Sequence, residues 1–335
     1  SIKRIMLAAQ YSENSEDLSV IQVQQVEKPA AQPGHIVVKV HTAAINPIDP
    51  LVAKGFAKNV LGWTMPLPFT MGYDFAGVVD SVHEGDTGFT VGERVFGVNW
   101  GTGCHNDAGT PAGGAFAEYI LIPASKVSKL PDAISFDQGA AVALVGTTAY
   151  QVLFNAAKLT AGQKILILGG STSVGQIAIQ LAKERGAWVA TTASTRNLSY
   201  VSQFGADLVV DYRTQQWDEL PELKDLDVVF DSVGEKDAFS RTTQKGVVKK
   251  DGAYVTITGA DAGFDPAGHP PLHFASLFCL TNSAAVQDAL VAKLASGALQ
   301  ITIDETFPFT TEGVHNLIKK IEAGTSTGKN LLKIV

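Results

Sequence analysis

Between residues 164 and 183 the chain reads KILILGGSTSVGQIAIQLAK, an apolar run that passes through a Gly-rich heptad directly into an amphipathic repeat. No other segment constrains the fold as tightly. The apolar run reads as a buried strand and the spacing after it as a helix, so the heptad has to be the turn between them. A strand, tight turn and helix in that order aim unpaired N–H groups and the positive end of the helix dipole at one point, which suits a diphosphate. Gly169, Gly170, Ser171, Thr172, Ser173, Val174 and Gly175 form this candidate loop. Gly169 opens the turn and Gly175 lets the helix close on the sheet, whereas Thr172 and Ser173 stand where a dinucleotide fingerprint would show glycine. Their hydroxyls offer substitute donors to phosphate oxygens.

An ordinary strand-to-helix turn is the plain alternative, and the surroundings argue against it. Apolar strands at 164–170, 188–193, 208–212, 227–233 and 253–259 alternate with helical patterns. That arrangement predicts a parallel sheet covered on both faces, a doubly wound α/β domain. Ligands in such sheets lie outside the carboxyl ends of the strands, so Ser232 and Val233 after the fourth strand and Thr258 and Gly259 after the fifth are expected to line the site. The second strand ends in Ala193-Ser194-Thr195-Arg196-Asn197, without the acid that would accept from a ribose hydroxyl. Ser194 and Arg196 suit a 2′-phosphate instead, and NADPH is the expected cofactor. A charge-assisted contact of ~1.5–3 kcal/mol corresponds to a roughly 10- to 150-fold preference over NADH. The competing reading of Arg196 is a solvated residue at a helix start. Tyr212, closing the third strand, either sits near the adenosine phosphate or ribose or packs on the sheet.

The first ~125 residues differ in texture. Short strand-like runs at 21–29, 35–45, 75–82, 92–98 and 116–123 are separated by Gly and Pro, which predicts a compact β-rich domain. A length of 335 residues accommodates both domains. With 26 Lys+Arg against 33 Asp+Glu the formal charge is −7, and no basic run occurs, which argues against nucleic acid or anionic membrane as the main partner. No uninterrupted apolar stretch reaches ~18 residues, so no membrane span is expected. Two cysteines, Cys104 and Cys279, cannot supply a four-thiolate metal site and fit a reducing compartment. Cys104 with His105 is too small a set to close a site. The N-terminus lacks a secretory pattern, giving a cytoplasmic expectation, or an organelle if a transit peptide has been removed.

The segments AINPIDPLVAKG (44–55), MGYDFAGVV (71–79), VGERVFG (91–97), GAFAEYILIP (114–123), GGSTSVGQIAIQLAK (169–183), FGADLVVDY (204–212) and TGKNLLKIV (327–335) resemble, in order and over nearly the whole chain, the medium-chain dehydrogenase/reductase superfamily. Within it the sequence is similar to the zinc-independent quinone and enone reductase branch. The resemblance implies a GroES-like catalytic domain from residues 1–125 with 285–335 and an NADPH-binding Rossmann domain at 126–284. Zinc-dependent members carry a Cys where this chain has Asn46 and Gly-His-Glu where it has Gly72-Tyr73-Asp74, so no metal is expected. Thr147 and Thr148 are implied donors to cofactor ribose or diphosphate, and Lys329-Asn330 matches a C-terminal segment that folds back near the cofactor. A homodimer through the apolar edge near 272–280 is also implied.

Without a metal, carbonyl reduction lacks its Lewis acid, whereas hydride addition to the β carbon of an enone needs only modest polarisation of the conjugated oxygen. Reduction of C=C bonds of enones and 2-alkenals, or of quinones, follows. By resemblance Asn46 faces the nicotinamide, its amide holding either the ring or the enolate oxygen, while Asp49 braces the loop. Relatives carry a Tyr or Lys a few residues on; here that stretch includes Leu51, which leaves Lys54 and Tyr73 as substitutes. Phe56, Trp63, Phe69 and Phe264 hint at an apolar pocket for a small electrophile. Two other functions fit the same residues: a trans-acting enoyl reductase of a polyketide or fatty-acyl pathway, and a catalytically idle NADPH-binding protein with a structural or regulatory task.

Overall fold

The computed structural model describes residues 4–59, 66–85, 87–100, 114–267, 272 and 274–335. Trp63, Cys104 and His105 lie outside the described residues. The chain divides into two compact units, one formed by Ser1–Thr147, Leu280–Gly297 and Ile301–Val335, the other by Thr148–Cys279 and Ala298–Gln300.

In the second unit six parallel strands lie in the spatial order Leu208–Asp211, Trp188–Ala193, Lys164–Leu168, Leu226–Asp231, Val248–Thr256, Phe274–Leu277. The first strand in sequence thus sits between the second and the fourth, and the direction of winding reverses beside it. That reversal opens a crevice beyond Leu168 and Asp231, the place where such sheets take ligands. Leu166, Ile167, Leu168, Val229 and Phe230 are fully buried, as strands covered on both faces require, each side chain contributing ~1.5–3 kcal/mol of burial. Residues 272–280 supply a sixth strand at the sheet edge, Phe274–Leu277.

The first unit is β-rich and mostly antiparallel, Ile303–Pro308 alone among the described pairs lying parallel to its neighbour Lys329–Lys333. Its larger sheet runs Ile303–Pro308, Lys329–Lys333, His35–Ala44, Asp74–Val82, Arg94–Val98, Val127–Lys129, with Tyr119–Pro123 also paired to His35–Ala44. A smaller sheet joins Gln22–Glu27, Ile5–Tyr11 and Phe69–Thr70. Ile5–Tyr11 has no counterpart among the expected strands. The C-terminal strand pairs with the first third of the chain through Leu331 opposite Ala44, so the two chain ends build one unit.

The second unit begins later than the 126–284 span that the resemblance implies. Val127–Lys129 pairs with Arg94–Val98, and Leu144 N donates to Asp74 Oδ1 at 2.9 Å. These bonds tie residues up to Thr147 to the first unit.

Candidate active site

Strand register assembles a buried polar cluster in the first unit. Ala44 pairs with Leu331 on one side and with Asp74 on the other. Asn46, two residues beyond, therefore meets both Asp74 and Lys329. Lys329 Nζ donates to Asn46 Oδ1 at 2.7 Å, to Ile45 O at 2.9 Å and to Asp74 Oδ2 at 3.1 Å. Asn46 Nδ2 donates to the same Asp74 Oδ2 at 3.0 Å. All three side chains are buried. A buried ammonium has to be paired and hydrogen-bonded, and here all three of its hydrogens have acceptors.

The Asn-Pro-Ile-Asp turn holds Asn46 from behind. Asn46 N donates to Asp49 Oδ2 at 2.7 Å, and Asp49 N donates to Asn46 O at 3.0 Å. Asp49 lies in the first turn of the short helix Ile48–Ala53, and its Oδ1 has no partner. Burial pushes the Asp49 carboxyl up to about 7, with the bond from Asn46 N pulling the other way and the nearby Asp74 adding to the rise. Burial also lifts the Asp74 carboxyl, against the downward pull of Lys329.

Several expected site residues are placed elsewhere. Lys54 Nζ is held by Glu322 Oε1 at 2.6 Å and Glu16 Oε2 at 3.7 Å, an ion pair at the surface of the unit and not a member of the Asn46 cluster. Tyr73 is buried, its ring tilted against Trp100 at 4.9 Å between centroids, and burial pushes its hydroxyl well above the ordinary value. Thr147 sits inside the helix Phe136–Tyr150 and its hydroxyl donates to Ala143 O at 2.7 Å; a buried hydroxyl takes the nearest carbonyl of its own helix. Lys329 and Asn330 are buried in the first unit, Lys329 as a member of the Asn46 cluster. Asn330 Nδ2 donates to Ser326 Oγ at 2.8 Å. Phe69 is buried against Tyr11, and Phe264, partly buried, meets Phe239 edge-on and stacks on Tyr254 against the core of the second unit.

In the second unit the Gly-rich heptad forms the turn into the helix Ser173–Glu184. Gly169 has φ +91°, and a Cβ on Gly175 would lie 2.1 Å from Gly169 O, so the first position needs the left-handed region and the last needs no side chain. Thr172 caps the helix, accepting from Gly175 N at 2.9 Å, and its Oγ1 also lies 2.9 Å from Gly169 O and 3.0 Å from Ser232 Oγ. Its hydroxyl is therefore spent inside the turn and is not the extra phosphate donor expected. The N–H groups of Ser171, Ser173 and Val174 have no acceptor among the described residues. These orphan donors at the start of a twelve-residue helix fit the diphosphate of a dinucleotide.

Neighbouring loops converge on this turn. Ser232 Oγ donates to Leu168 O at 2.7 Å, and Val233, 44% exposed, lies so close to Gly169 that a Cβ there would meet its Cγ1 at 2.5 Å. Asp231 holds the loop in place, accepting from Val233 N at 3.0 Å and Gly234 N at 2.9 Å. Thr258 accepts from Ala260 N through its hydroxyl at 3.2 Å, and Gly259 faces open space. Ser194 is buried and Arg196 exposed in the turn Thr195–Asn197. Tyr212 is 46% exposed and its N donates to Ala193 O at 3.2 Å. Sequence reasoning missed Asp211, whose Oδ2 accepts from Thr195 Oγ1 at 2.6 Å and whose Oδ1 accepts from Arg213 N at 3.0 Å. The signal was available only as strand pairing, with Asp211 opposite Ala193.

Comparison with known proteins agrees with this geometry. Residues 32–132 match the alcohol dehydrogenase GroES-like domain, and residues 204–332 match a domain described as zinc-binding dehydrogenase. A 2-methylene-furan-3-one reductase of Solanum lycopersicum is 33% identical over 321 residues, covering 93% of this chain and 76% of that protein. The chain belongs to the medium-chain dehydrogenase/reductase family. An NADPH-dependent alkenal/one oxidoreductase, chloroplastic, of Arabidopsis thaliana is 32% identical over 305 residues, 90% of this chain and 72% of its own. A quinone oxidoreductase from Coxiella burnetii superposes with a TM-score of 0.84 at 26% identity, covering 99% of this chain and all of that one. The protein is thus an oxidoreductase of this family, with a GroES-like unit and a Rossmann-type unit that binds a nicotinamide cofactor.

The family's zinc does not fit the residues present. Asn46 Oδ1 and Asp74 Oδ2, the oxygens nearest to where ligands would stand, both accept from the Lys329 ammonium. A second cation beside that charge has no unshared ligand set, and zinc wants tetrahedral N and S donors. No group of three or more His, Cys, Asp or Glu suited to a metal occurs among the described residues. No helix among them is long and apolar enough to cross a membrane.

Proposed function

We propose that this protein reduces the C=C bond of α,β-unsaturated carbonyls (enones and 2-alkenals), or quinones, with NADPH and without a metal. The observation that carries the reading is the Lys329–Asn46–Asp74 cluster, a neutral amide fixed by an ion pair at the position of a metal site. A fixed amide can stabilise charge on a conjugated oxygen but is a weak substitute for a Lewis acid on an isolated carbonyl. Bound NADPH supplies the hydride. The amides of Ser171, Ser173 and Val174 receive its diphosphate, and Ser194 and Arg196 receive the 2′-phosphate. Asn46 donates to the substrate oxygen as negative charge builds there, and solvent supplies the proton for the α carbon. Tyr212, Thr258 and Gly259 complete the cofactor side.

The names of the tomato and Arabidopsis relatives support the substrate class and NADPH, and the chloroplastic relative keeps an organelle beside the cytoplasm as a location. The edge strand Phe274–Leu277, with Leu277 51% exposed, supports a homodimer that covers it. The test is incubation of the pure protein with NADPH and a panel of 2-alkenals, enones and quinones, followed at the nicotinamide absorbance band. Turnover on at least one acceptor is expected. Tight NADPH binding with no turnover on any of them would leave the idle-binding reading in front.

A further inference from the structure

Asn46 carries four hydrogen-bonding capacities that matter here: two lone pairs on Oδ1 and two hydrogens on Nδ2. Lys329 donates to Oδ1, and Asp74 accepts one Nδ2 hydrogen. Turning the amide over would set its NH2 against an ammonium and its oxygen against a carboxylate, two repulsive contacts in a site where all three residues are buried. The ion pair therefore selects one orientation of the amide. In that orientation one Nδ2 hydrogen is left over, on the edge of the amide that neither Lys329 nor Asp74 occupies.

We propose that Lys329 is the positioning residue of the reaction: with Asp74 it locks the amide of Asn46 so that its remaining N–H is the donor presented to the substrate oxygen. This rests on the reductase reading above and adds to it the device that orients the donor. Lys329 touches no reacting atom, since its three hydrogens are already committed to Ile45 O, Asn46 Oδ1 and Asp74 Oδ2. Asp74 is itself fixed by Leu144 N through its other oxygen. The orientation of Asn46 thus depends on a strand more than 280 positions away in the chain. A donor aimed by rigid neighbours keeps its alignment as charge develops, and misalignment by about 1 Å can cost roughly 100-fold in rate.

Two variants separate positioning from folding. Lys329→Met leaves Asp74 buried without its cation and can unfold the unit. The double substitution Lys329→Met/Asp74→Asn removes both charges together, and by replacing the carboxylate that faces Nδ2 with an amide able to donate or accept it removes the preference for the present orientation. For the double variant the expectation is an NADPH dissociation constant within about threefold of the parent, and a kcat for an enone lower by roughly 10- to 100-fold. A double variant that folds, binds NADPH and turns over within about twofold of the parent would overturn the proposal. The side-chain amide of Asn46 in the 15N-labelled parent protein gives a readout independent of turnover. One Nδ2 proton shifted downfield of the ordinary asparagine range by the Asp74 carboxylate and protected from exchange is expected in the parent, and a return to ordinary shifts with faster exchange in the double variant. Nδ2 protons at ordinary asparagine shifts, exchanging rapidly with solvent in the parent, would overturn the lock even if the double variant does not fold. The reductase reading fails separately, by absence of turnover in the parent.

Discussion

Lys329 Nζ lies 2.7 Å from Asn46 Oδ1, joining residues 283 positions apart in the chain. The contact is a product of register. The strand Lys329–Lys333 runs antiparallel to His35–Ala44, with Leu331 against Ala44, and the side of the sheet that this leaves for Lys329 is the one that Asn46 turns towards. Asp74 arrives from the opposite neighbour, directly across from Ala44. Two long-range choices of register therefore make one buried, charge-balanced site.

Asn46→Ala removes the donor and leaves Lys329 and Asp74 paired with each other. Loss of one preorganised donor to a developing oxyanion typically lowers kcat by ~100- to 1,000-fold. The expected pattern is a fall of that order for an enone substrate with NADPH affinity nearly unchanged, measured by steady-state kinetics beside a fluorescence titration of the cofactor.

Arg196→Ala addresses the cofactor. If the exposed guanidinium meets the 2′-phosphate, the ratio of NADPH to NADH in kcat/KM falls by roughly 10- to 150-fold. An unchanged ratio assigns Arg196 to solvent and moves attention to Arg213, which Asp211 holds beside the same strand ends.

Gly175→Ala inserts a Cβ 2.1 Å from Gly169 O. The turn has to open to admit it, at ~1–3 kcal/mol of stability, and the orphan N–H groups of Ser171, Ser173 and Val174 lose their common aim. Thermal unfolding should show the destabilisation, and calorimetry an NADPH dissociation constant raised by roughly tenfold or more. A destabilised variant that binds NADPH as the parent does would detach this turn from the cofactor.

The heptad and the parallel strands are legible before any coordinates because each rests on local periodicity or on a motif, whereas a first unit built from both chain ends enters only through the family resemblance. Asn46 was legible as a position. What its amide does was not, because the answer depends on Lys329 and Asp74, and nothing local to TGKNLLKIV or MGYDFAGVV says which strands become neighbours. Thr172 shows the same limit on a smaller scale. Its residue type suits either a phosphate donor or a helix cap, and only the turn geometry assigns the hydroxyl to Gly175 N and Gly169 O. Asp211 is invisible for a third reason: the dinucleotide pattern places its acid at the end of the second strand, and the carboxylate that reaches Thr195 comes from the third.

Asp49 gives the fold a pH dependence with a defined sign. Its carboxyl is raised from 3.8 to about 7 by burial, so the native state holds a proton that the unfolded chain releases near pH 4. The associated stability is complete below about pH 4 and is lost as pH rises through about 7. Asp49→Asn removes this contribution. In urea titrations the stability of the variant relative to the parent should therefore improve steadily between about pH 4 and pH 7; a difference that is flat over that window would contradict a protonated Asp49.

The most direct test follows the transferred hydrogen. An enone is reduced with NADPH carrying deuterium at the transferable C4 position, in the presence of a strong chelator, and the product is analysed by proton NMR. Metal-free C=C reduction predicts a saturated ketone with deuterium on the β carbon and a rate that the chelator does not alter. An allylic alcohol with deuterium on the former carbonyl carbon, or a rate abolished by the chelator, would contradict the account.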